Sequence, residues 1–151
     1  MSKPFSYPEF VDGVKILSNA GDAENDMMMN IRVYHMEAGM EHHFLSQSDE
    51  TALLLVLGDV TWRWNDRQET GHRESFIEEG PYCLHVPKGV EVTVTANAFS
   101  EVLVQQTAND REFAPVFYRP EDCRDDIFGL DVFDNKMKRT VRTVFDYKNA
   151  P

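Results

Sequence analysis

The sequence predicts an all-β barrel with few or no helices, and two observations support this prediction. Short apolar or alternating segments recur along the chain roughly every 8–12 residues, separated by turns rich in glycine, proline and asparagine. No long stretch has a convincing helical period. The chain has 151 residues, of which 42% are hydrophobic, so it suits one domain with a proper core.

Each candidate strand follows from its local pattern. Residues 31–38 alternate, with Ile31, Val33 and His35 on one face, whereas 52–57 are continuously apolar, as in a strand covered on both faces. We expect the Gly58-Asp59 pair to end that strand and the acidic segment 121–126 to form a loop. The predicted strands are 14–17, 31–38, 52–57, 60–64, 71–77, 82–86, 91–96, 101–107, 127–133 and 140–145.

The pattern divides the chain into a barrel and a tail. Residues 1–135 are predicted to form the barrel, and 136–151 a C-terminal strand and tail, with neither a flexible linker nor an internal repeat. The last predicted strand is flanked by a basic cluster, namely Lys136, Lys138, Arg139 and Arg142.

The net charge and the cysteine content limit the possible binding partners and the cellular compartment of the protein. The net charge of −11 disfavours nucleic acid and anionic membranes as partners. An acidic sugar would need a local basic patch, for which Arg63, Arg67, His72 and Arg73 are candidates, although solvated surface residues are the plainer interpretation. The two cysteines form no spacing motif, and Cys83 lies in an apolar run typical of a buried small hydrophobe. The N-terminus has no apolar signal core, so we expect a cytoplasmic protein.

Two segments have the form of cupin motifs. Residues 74–96 contain a glycine turn, a strand, the Pro-x-Gly turn Pro87-Lys88-Gly89 and a second strand, as in the second cupin motif. Residues 52–62 look like the end of the first motif, where a strand reaches a glycine and turns into the next strand. The predicted fold is therefore a single cupin-type double-stranded β-helix, or jelly roll.

Together with the ending 139–151, these segments resemble the 5-deoxyglucuronate isomerase family of inositol catabolism, which is related to the 5-keto-4-deoxyuronate isomerases of pectin breakdown. Members of that family have two cupin barrels, and the resemblance covers only the N-terminal half. It implies aldose–ketose isomerisation of a sugar acid through an enediolate, with the catalytic metal in the second barrel. Residues 136–151 resemble the lead-in to that barrel.

A cupin metal centre needs His-x-His on one strand face, a nearby Glu and a later His. The pattern places the first two histidines on Leu45 and Gln47 or, in the other register, on Phe44 and Ser46. The third falls on Val92. We therefore expect no metal and no other cofactor in this chain, and whether the chain alone is an enzyme stays open.

Three functional hypotheses follow. In the first, the chain is a scaffold that packs against a catalytic barrel, or dimerises through sheet edges or its tail, and it has no isomerase activity alone. In the second, it is a metal-free cupin that binds a small sugar-like ligand, such as a sugar acid. Its candidate pocket residues are His35, Trp62, Trp64 and His85, for which core packing and structural histidines are the alternatives. In the third, metal-dependent catalysis requires Glu50, His42, His43 and His85 to converge.

Overall fold

The computed structural model describes residues 8–22 and 27–151. Within these ranges the regular structure is almost entirely β, with a single 3-10 turn at Pro120–Asp122. In chain order the strands are β1 (Val14–Ser18), β2 (Asn30–Met36), β3 (Glu41–Phe44), β4 (Asp49–Trp64), β5 (Arg67–Arg73), β6 (Cys83–Val86), β7 (Val92–Ala96), β8 (Ser100–Ala108), β9 (Val116–Tyr118), β10 (Arg124–Phe128) and β11 (Arg139–Thr143).

Strand β4 belongs to both faces of the barrel. Its first half pairs with β8 and β6, which extends one face in the order β1-β2-β8-β4-β6-β9. Its second half pairs with β5 and β7, and β7 in turn pairs with β3. All these pairings are antiparallel, so the two faces wrap around one interior through a shared strand.

The interior is filled with hydrocarbon. Strands β4, β6, β7 and β8 supply most of the buried side chains, and β2 and β9 complete the cluster. Its members are Met36, Leu53, Leu55, Val60, Trp62, Trp64, Leu84, Val86, Val92, Val94, Ala96, Val102, Val104 and Phe117. Cys83 is buried too, as the sequence predicted, and burial raises the pKa of its thiol to about 12.

A bulge and a glycine let β4 change faces. The register against β8 shifts between Leu55 and Leu57, and Gly58 follows with a φ of +106°. This shift changes which side chains point inward, because an extra residue reverses the alternation of a strand. The inward side chains of β4 have odd numbers before the bulge and even numbers after it, namely Leu53, Leu55, Val60, Trp62 and Trp64.

The expectation that Gly58-Asp59 ends a strand is therefore wrong. The predicted strands 52–57 and 60–64 are one strand of 16 residues. Gly58 bends the chain without interrupting its pairing, because the ladder to β5 begins at Gly58 itself. The Asp59 backbone N–H also donates to Oγ of Ser100 (3.0 Å), which fastens the bend to β8.

The predicted strand 71–77 is displaced in the structure. Strand β5 ends at Arg73, and the chain then turns around the buried guanidinium of that residue. The guanidinium donates to the backbone carbonyls of Leu55 (2.8 Å), Phe76 (3.2 Å) and Glu79 (2.9 Å). To accept these hydrogen bonds, the carbonyl groups of Phe76 and Glu79 must both point toward the Arg73 guanidinium. This arrangement is incompatible with an extended strand over 74–77.

Three further expectations need correction. The sequence prediction missed β3 and β9, which are short and contain charged or aromatic residues. The acidic segment 121–126 is not a continuous loop, because β10 starts at Arg124. The predicted strand 127–133 ends early, since Gly129 and several following residues have positive φ.

Strands β10 and β11 form a hairpin apart from the main barrel sheet. The predicted domain boundary at 135/136 lies in its connecting loop. Arg142 lies within β11 and fastens the hairpin to the turn that follows β5, where it donates to the carbonyls of Ile77 (2.7 Å) and Glu78 (3.0 Å). In the described part of the chain no helix has the length and apolar character needed to cross a lipid bilayer.

The bend at Gly58 yields a testable prediction. A Cβ at this position would overlap with the Phe99 carbonyl oxygen and lie 2.6 Å from Cα of Ser100. Gly58→Ala therefore adds a clash with the backbone to the cost of a positive φ. We expect a loss of about 3 kcal/mol or more in the free energy of unfolding, measured by urea denaturation.

Gly89→Ala is the matched control. Its φ is +79° and a Cβ there would meet nothing within 4 Å, so it bears only the conformational cost of about 1–2 kcal/mol. Equal losses in the two variants would contradict the assigned role of Gly58.

Candidate functional site

The inner face of the barrel holds hydrocarbon where cupins place metal ligands. Phe44 packs against the core and lies opposite Val92, which is fully buried. Leu45 is 53% exposed, so the register of Phe44 and Ser46, rather than that of Leu45 and Gln47, faces the interior. A phenyl ring and a valine thus stand at two positions where a metal would need imidazoles.

The adjacent histidines of β3 point to opposite faces. His42 lies opposite the buried Val94, with its ring 5.0 Å from that of Tyr34, and burial lowers the pKa of His42. His43 shares a hydrogen bond of 3.0 Å with the Thr93 hydroxyl outside the barrel. One inward imidazole among hydrocarbon does not fit a cupin metal centre. Across residues 8–22 and 27–151, no group of three or more His, Cys, Asp or Glu side chains is arranged to hold a metal.

Both tryptophans proposed as pocket residues are enclosed in the core. Trp62 is 0% exposed and Trp64 is 2% exposed. Their rings pack against Phe117 with centroid distances of 5.2 and 6.1 Å. Both indoles are therefore packed in the core, which is the alternative that the sequence left open. Neither has an exposed face on which a sugar ring could stack.

His35 and His85 both lie on the outer face of the main sheet. His35 stacks on Phe10 at 3.4 Å, and its Nε2 is 2.7 Å from Oε1 of Glu101. His85 lies between Leu84 and Val86, which belong to the core, so its own side chain points outward. The structure therefore does not bring the four proposed pocket residues together in the barrel.

A polar site surrounds His85 on the outer face of the sheet. Its ring stacks in parallel on Phe145 at 4.5 Å and contacts the ring of Phe113 at 4.7 Å with a tilt of 47°. Its Nε2 is 3.3 Å from Oε2 of Glu50, which also accepts a hydrogen bond of 2.7 Å from the Asn109 amide. Of the four residues that metal catalysis would require, only Glu50 and His85 meet.

The electrostatics favour a neutral His85. Burial lowers its pKa, and the nearby Glu50 carboxylate opposes this shift only in part. The tautomer that satisfies Glu50 has its proton on Nε2, which leaves Nδ1 as an acceptor. This Nδ1 is buried and has no hydrogen-bond partner among the residues that the structure describes.

A groove runs beside His85 between the outer sheet face and the segment 142–145; we call it the outer groove. One part, of about 110 Å³, is lined by Glu50, His85 and Gln105 among others. The other part, of about 340 Å³, is lined by Leu54, Gln105 and Arg142 among others. Ala52, Gln105 and Phe145 line both parts, so the two parts adjoin each other.

The four candidate residues for a basic patch are already engaged. Arg73 is buried among carbonyl groups, which corrects the expectation of a solvated residue. Arg63 donates to Gln68 and Thr95, and Arg67 lies over the Trp64 ring. His72 lies 3.5 Å from Asp59 and 3.3 Å from Glu74.

Comparison with known proteins decides the family. A sequence model described as the KduI/IolB family matches residues 6–151, which is nearly the whole chain. The chain belongs to the KduI/IolB family. The sequence-based resemblance to this group of sugar isomerases is thereby confirmed, and no curated protein matches the chain.

Solved structures confirm the cupin-type fold of this KduI/IolB family member. An IolB-like protein of Salmonella typhimurium LT2 superposes with a TM-score of 0.74 at 21% identity, over 82% of this chain and 46% of that protein. Protein Ylba of E. coli gives 0.59 at 14% identity, over 78% and 50% of the two chains. The Schizosaccharomyces pombe Cnp3 cupin domain gives 0.50 at 14% identity, over 70% and 69%.

Sequence reasoning missed the aromatic cover and the amide of the His85 site. Asn109 and Phe113 lie outside the predicted strands, and Phe145 ends the predicted strand 140–145, but no motif connects any of the three with Glu50 or His85. The available signal was the strand alternation itself, since it places His85 on the face opposite Leu84 and Val86.

Buried His85 predicts a pH dependence of stability. Because its pKa is lowered in the folded chain, the unfolded chain takes up the proton first as the pH falls through the ordinary value of 6.5. The free energy of unfolding should therefore decrease as the pH falls from above 6.5 toward the folded-state pKa.

His85→Phe keeps the aromatic stack and removes this titration, so its urea-unfolding free energy should vary less with pH than that of the wild type. Because the pKa of His42 is also lowered, the unfolding free energy of both proteins should still depend on pH to some extent. Identical pH profiles for wild type and variant would contradict the assignment of a neutral, buried His85.

Proposed function

We propose that this chain is the non-catalytic barrel of a two-barrel sugar-acid isomerase, corresponding to the metal-free N-terminal cupin half of a 5-deoxyglucuronate isomerase. The observation that carries the proposal is the interior of the barrel. Phe44 and Val92 face each other at two metal-ligand positions, and Trp62 and Trp64 fill the space beyond.

The chemistry of the isomerisation supports this division of roles. Moving a proton between adjacent carbons through an enediolate requires stabilisation of a developing oxyanion and a base at the carbon. The inner face of this barrel presents one imidazole, His42, among hydrocarbon side chains. On this proposal the metal and the proton-transferring groups belong to a second barrel, and the present chain acts with it in cytoplasmic inositol catabolism.

Relative length is a second line of support. The chain spans 46% of the length of the IolB-like protein and 50% of that of Ylba. A chain that corresponds to about half of such proteins is what one barrel of a two-barrel enzyme would provide.

The β10–β11 hairpin and its connecting loop supply the contact surface in this proposal; we call it the hairpin surface. A two-stranded hairpin alone is only marginally stable and gains stability by packing. Its large apolar side chains are exposed to solvent, namely Ile127, Phe128, Leu130, Val132, Phe133, Met137 and Val141. Contiguous exposed apolar groups of this kind mark interaction sites.

Charge favours a second copy of this chain as a partner of the hairpin surface. Lys136, Lys138 and Arg139 lie beside the apolar residues, in a chain whose net charge is −11. The acidic surface of another copy would complement this cluster. We therefore propose that the isolated chain forms a homodimer through the hairpin surface.

This proposal predicts an effect of Leu130→Ser on association. Loss of an apolar contact at the hairpin surface should weaken the dimer by about tenfold or more, as measured by light scattering over a dilution series.

Leu45→Ser is the matched control, because Leu45 is 53% and Leu130 54% exposed, and Leu45 lies at the end of β3. This variant should dimerise like the wild type. A wild-type chain that is monomeric at all accessible concentrations, or equal weakening by both substitutions, would contradict the proposal.

Binding of a small sugar-like ligand is a second candidate function. Since Trp62 and Trp64 are enclosed, the barrel mouth offers no stacking platform, and the outer groove is the observation that favours this candidate.

A further inference from the structure

The geometry points to the outer groove as a binding site for a small ω-amino acid, whose carboxylate bonds to Arg142 and whose ammonium group bonds to Glu50. Such a ligand carries opposite charges at the two ends of a short aliphatic chain. The inference goes beyond both candidate functions, because it assigns a doubly charged ligand class to the groove and is independent of the scaffold role.

The narrower end of the groove holds a carboxylate. Glu50 lines the part of about 110 Å³, and its side chain is 24% exposed. Its Oε2 accepts from Asn109 and lies 3.3 Å from Nε2 of His85, whereas its Oε1 has no hydrogen-bond partner among the residues described. Within the same residues no Lys or Arg forms an ion pair with Glu50, and burial lowers the pKa of His85, which favours a neutral imidazole. The carboxylate therefore lacks a cationic partner and has one oxygen available to an ammonium group.

The wider end holds a guanidinium group. Arg142 lines the part of about 340 Å³, and its side chain is 19% exposed. It donates to the carbonyls of Ile77 and Glu78, and its Nε lies 3.4 Å from Asp125, so three of its five N–H groups have partners in the described chain. The two carbonyls are neutral, and the Asp125 side chain is 49% exposed, so water weakens this ion pair. The positive charge and two N–H groups of Arg142 remain for the carboxylate of a ligand.

Apolar surface connects the two charged ends. Ala52 and Phe145 line both parts of the groove, and Leu54 lines the wider part. Ala52 and Leu54 are alternate residues of β4 and lie on its outer face, so they form one apolar strip along the strand. The methylene groups of a ligand would pack on this strip and on the Phe145 ring. Gln105, which also lines both parts, adds an amide that can donate and accept.

The separation of the two ends selects an ω-amino acid over an α-amino acid. Phe145 stacks on His85 beside Glu50, and Arg142 precedes Phe145 by three residues, so the Cα atoms of Arg142 and Phe145 are at most about 11 Å apart. A short aliphatic chain can bridge such a gap, whereas the two charges of an α-amino acid are adjacent. The net charge of −11 opposes a simple anion, but it does not oppose a ligand whose two charges cancel.

The test is an NMR titration of the full chain with δ-aminovalerate at constant ionic strength. The side-chain amide of Gln105 and the backbone amide of Thr143 lie at the groove, and both should shift in a saturable way. Norvaline is an isomer of δ-aminovalerate with adjacent charges. It should bind about tenfold more weakly or worse, because it can bond to only one end of the groove.

Two singly charged analogues test each end separately. Pentylamine lacks the carboxylate and valerate lacks the ammonium group, so each should bind to the wild type about tenfold more weakly than δ-aminovalerate. This comparison tests the role of Arg142 without substituting it, which is necessary because Arg142 also fastens the hairpin to the turn after β5.

A substitution assigns the ammonium end to Glu50. Glu50→Gln keeps the size of the side chain and removes its charge, so it should weaken δ-aminovalerate and pentylamine about tenfold and should not weaken valerate. Glu101→Gln is the matched control, because Glu101 is the carboxylate of the other histidine–glutamate pair on the outer face. This variant should leave all the affinities unchanged within about twofold.

The inference is overturned if δ-aminovalerate gives no saturable shift, or if norvaline, valerate or pentylamine binds the wild type as tightly. It is also overturned if Glu101→Gln weakens binding as much as Glu50→Gln. The comparison of ligands on the wild type stays decisive if Glu50→Gln fails to fold. The dimerisation experiments test the scaffold role separately, since they concern the hairpin surface alone.

Discussion

The crossing of β4 between the two faces of the barrel at Gly58 is the constraint on which the rest of the structure depends. A side chain at this position would overlap with the backbone at Phe99 and Ser100. The bulge before it reverses the alternation, so Val60, Trp62 and Trp64 point inward. Without this reversal, Arg63 and its odd-numbered neighbours in β4 would face the interior. Trp62 and Trp64 would then be exposed to water, and each exposure would destabilise the fold by several kcal/mol.

The same alternation determines where polar chemistry lies in this molecule. Inward positions carry mainly hydrocarbon, whereas the histidine–glutamate pairs His35–Glu101 and His85–Glu50 are on the outer face. The two pairs differ in their cover, because Phe113 and Phe145 enclose His85 while His35 stays partly exposed. Phe145, in the C-terminal segment, thus helps to bury the His85–Glu50 pair. This contact connects the His85 site with the segment that follows the hairpin surface.

Several features could be predicted from the sequence because they depend on local pattern. The alternation of 91–96 and the Pro-x-Gly turn predicted the strand and turn that the structure shows around Val92. Other features depend on contacts between distant segments. The bulge before Gly58 is defined only by the pairing of β4 with β8. The burial of Arg73 depends on three carbonyl groups, one from β4 and two from the turn after β5. The stack of Phe145 on His85 has no local signal at all.

We propose that the barrel of this KduI/IolB family chain has no catalytic chemistry in its interior. The most direct measurement is turnover of 5-deoxyglucuronate by the purified chain, supplemented in turn with divalent transition metals and followed over long incubations. We expect no turnover above the rate in buffer, with or without metal, because Phe44 and Val92 stand at two of the positions where the cupin pattern would require metal ligands. Metal-dependent isomerisation by this chain alone would contradict it.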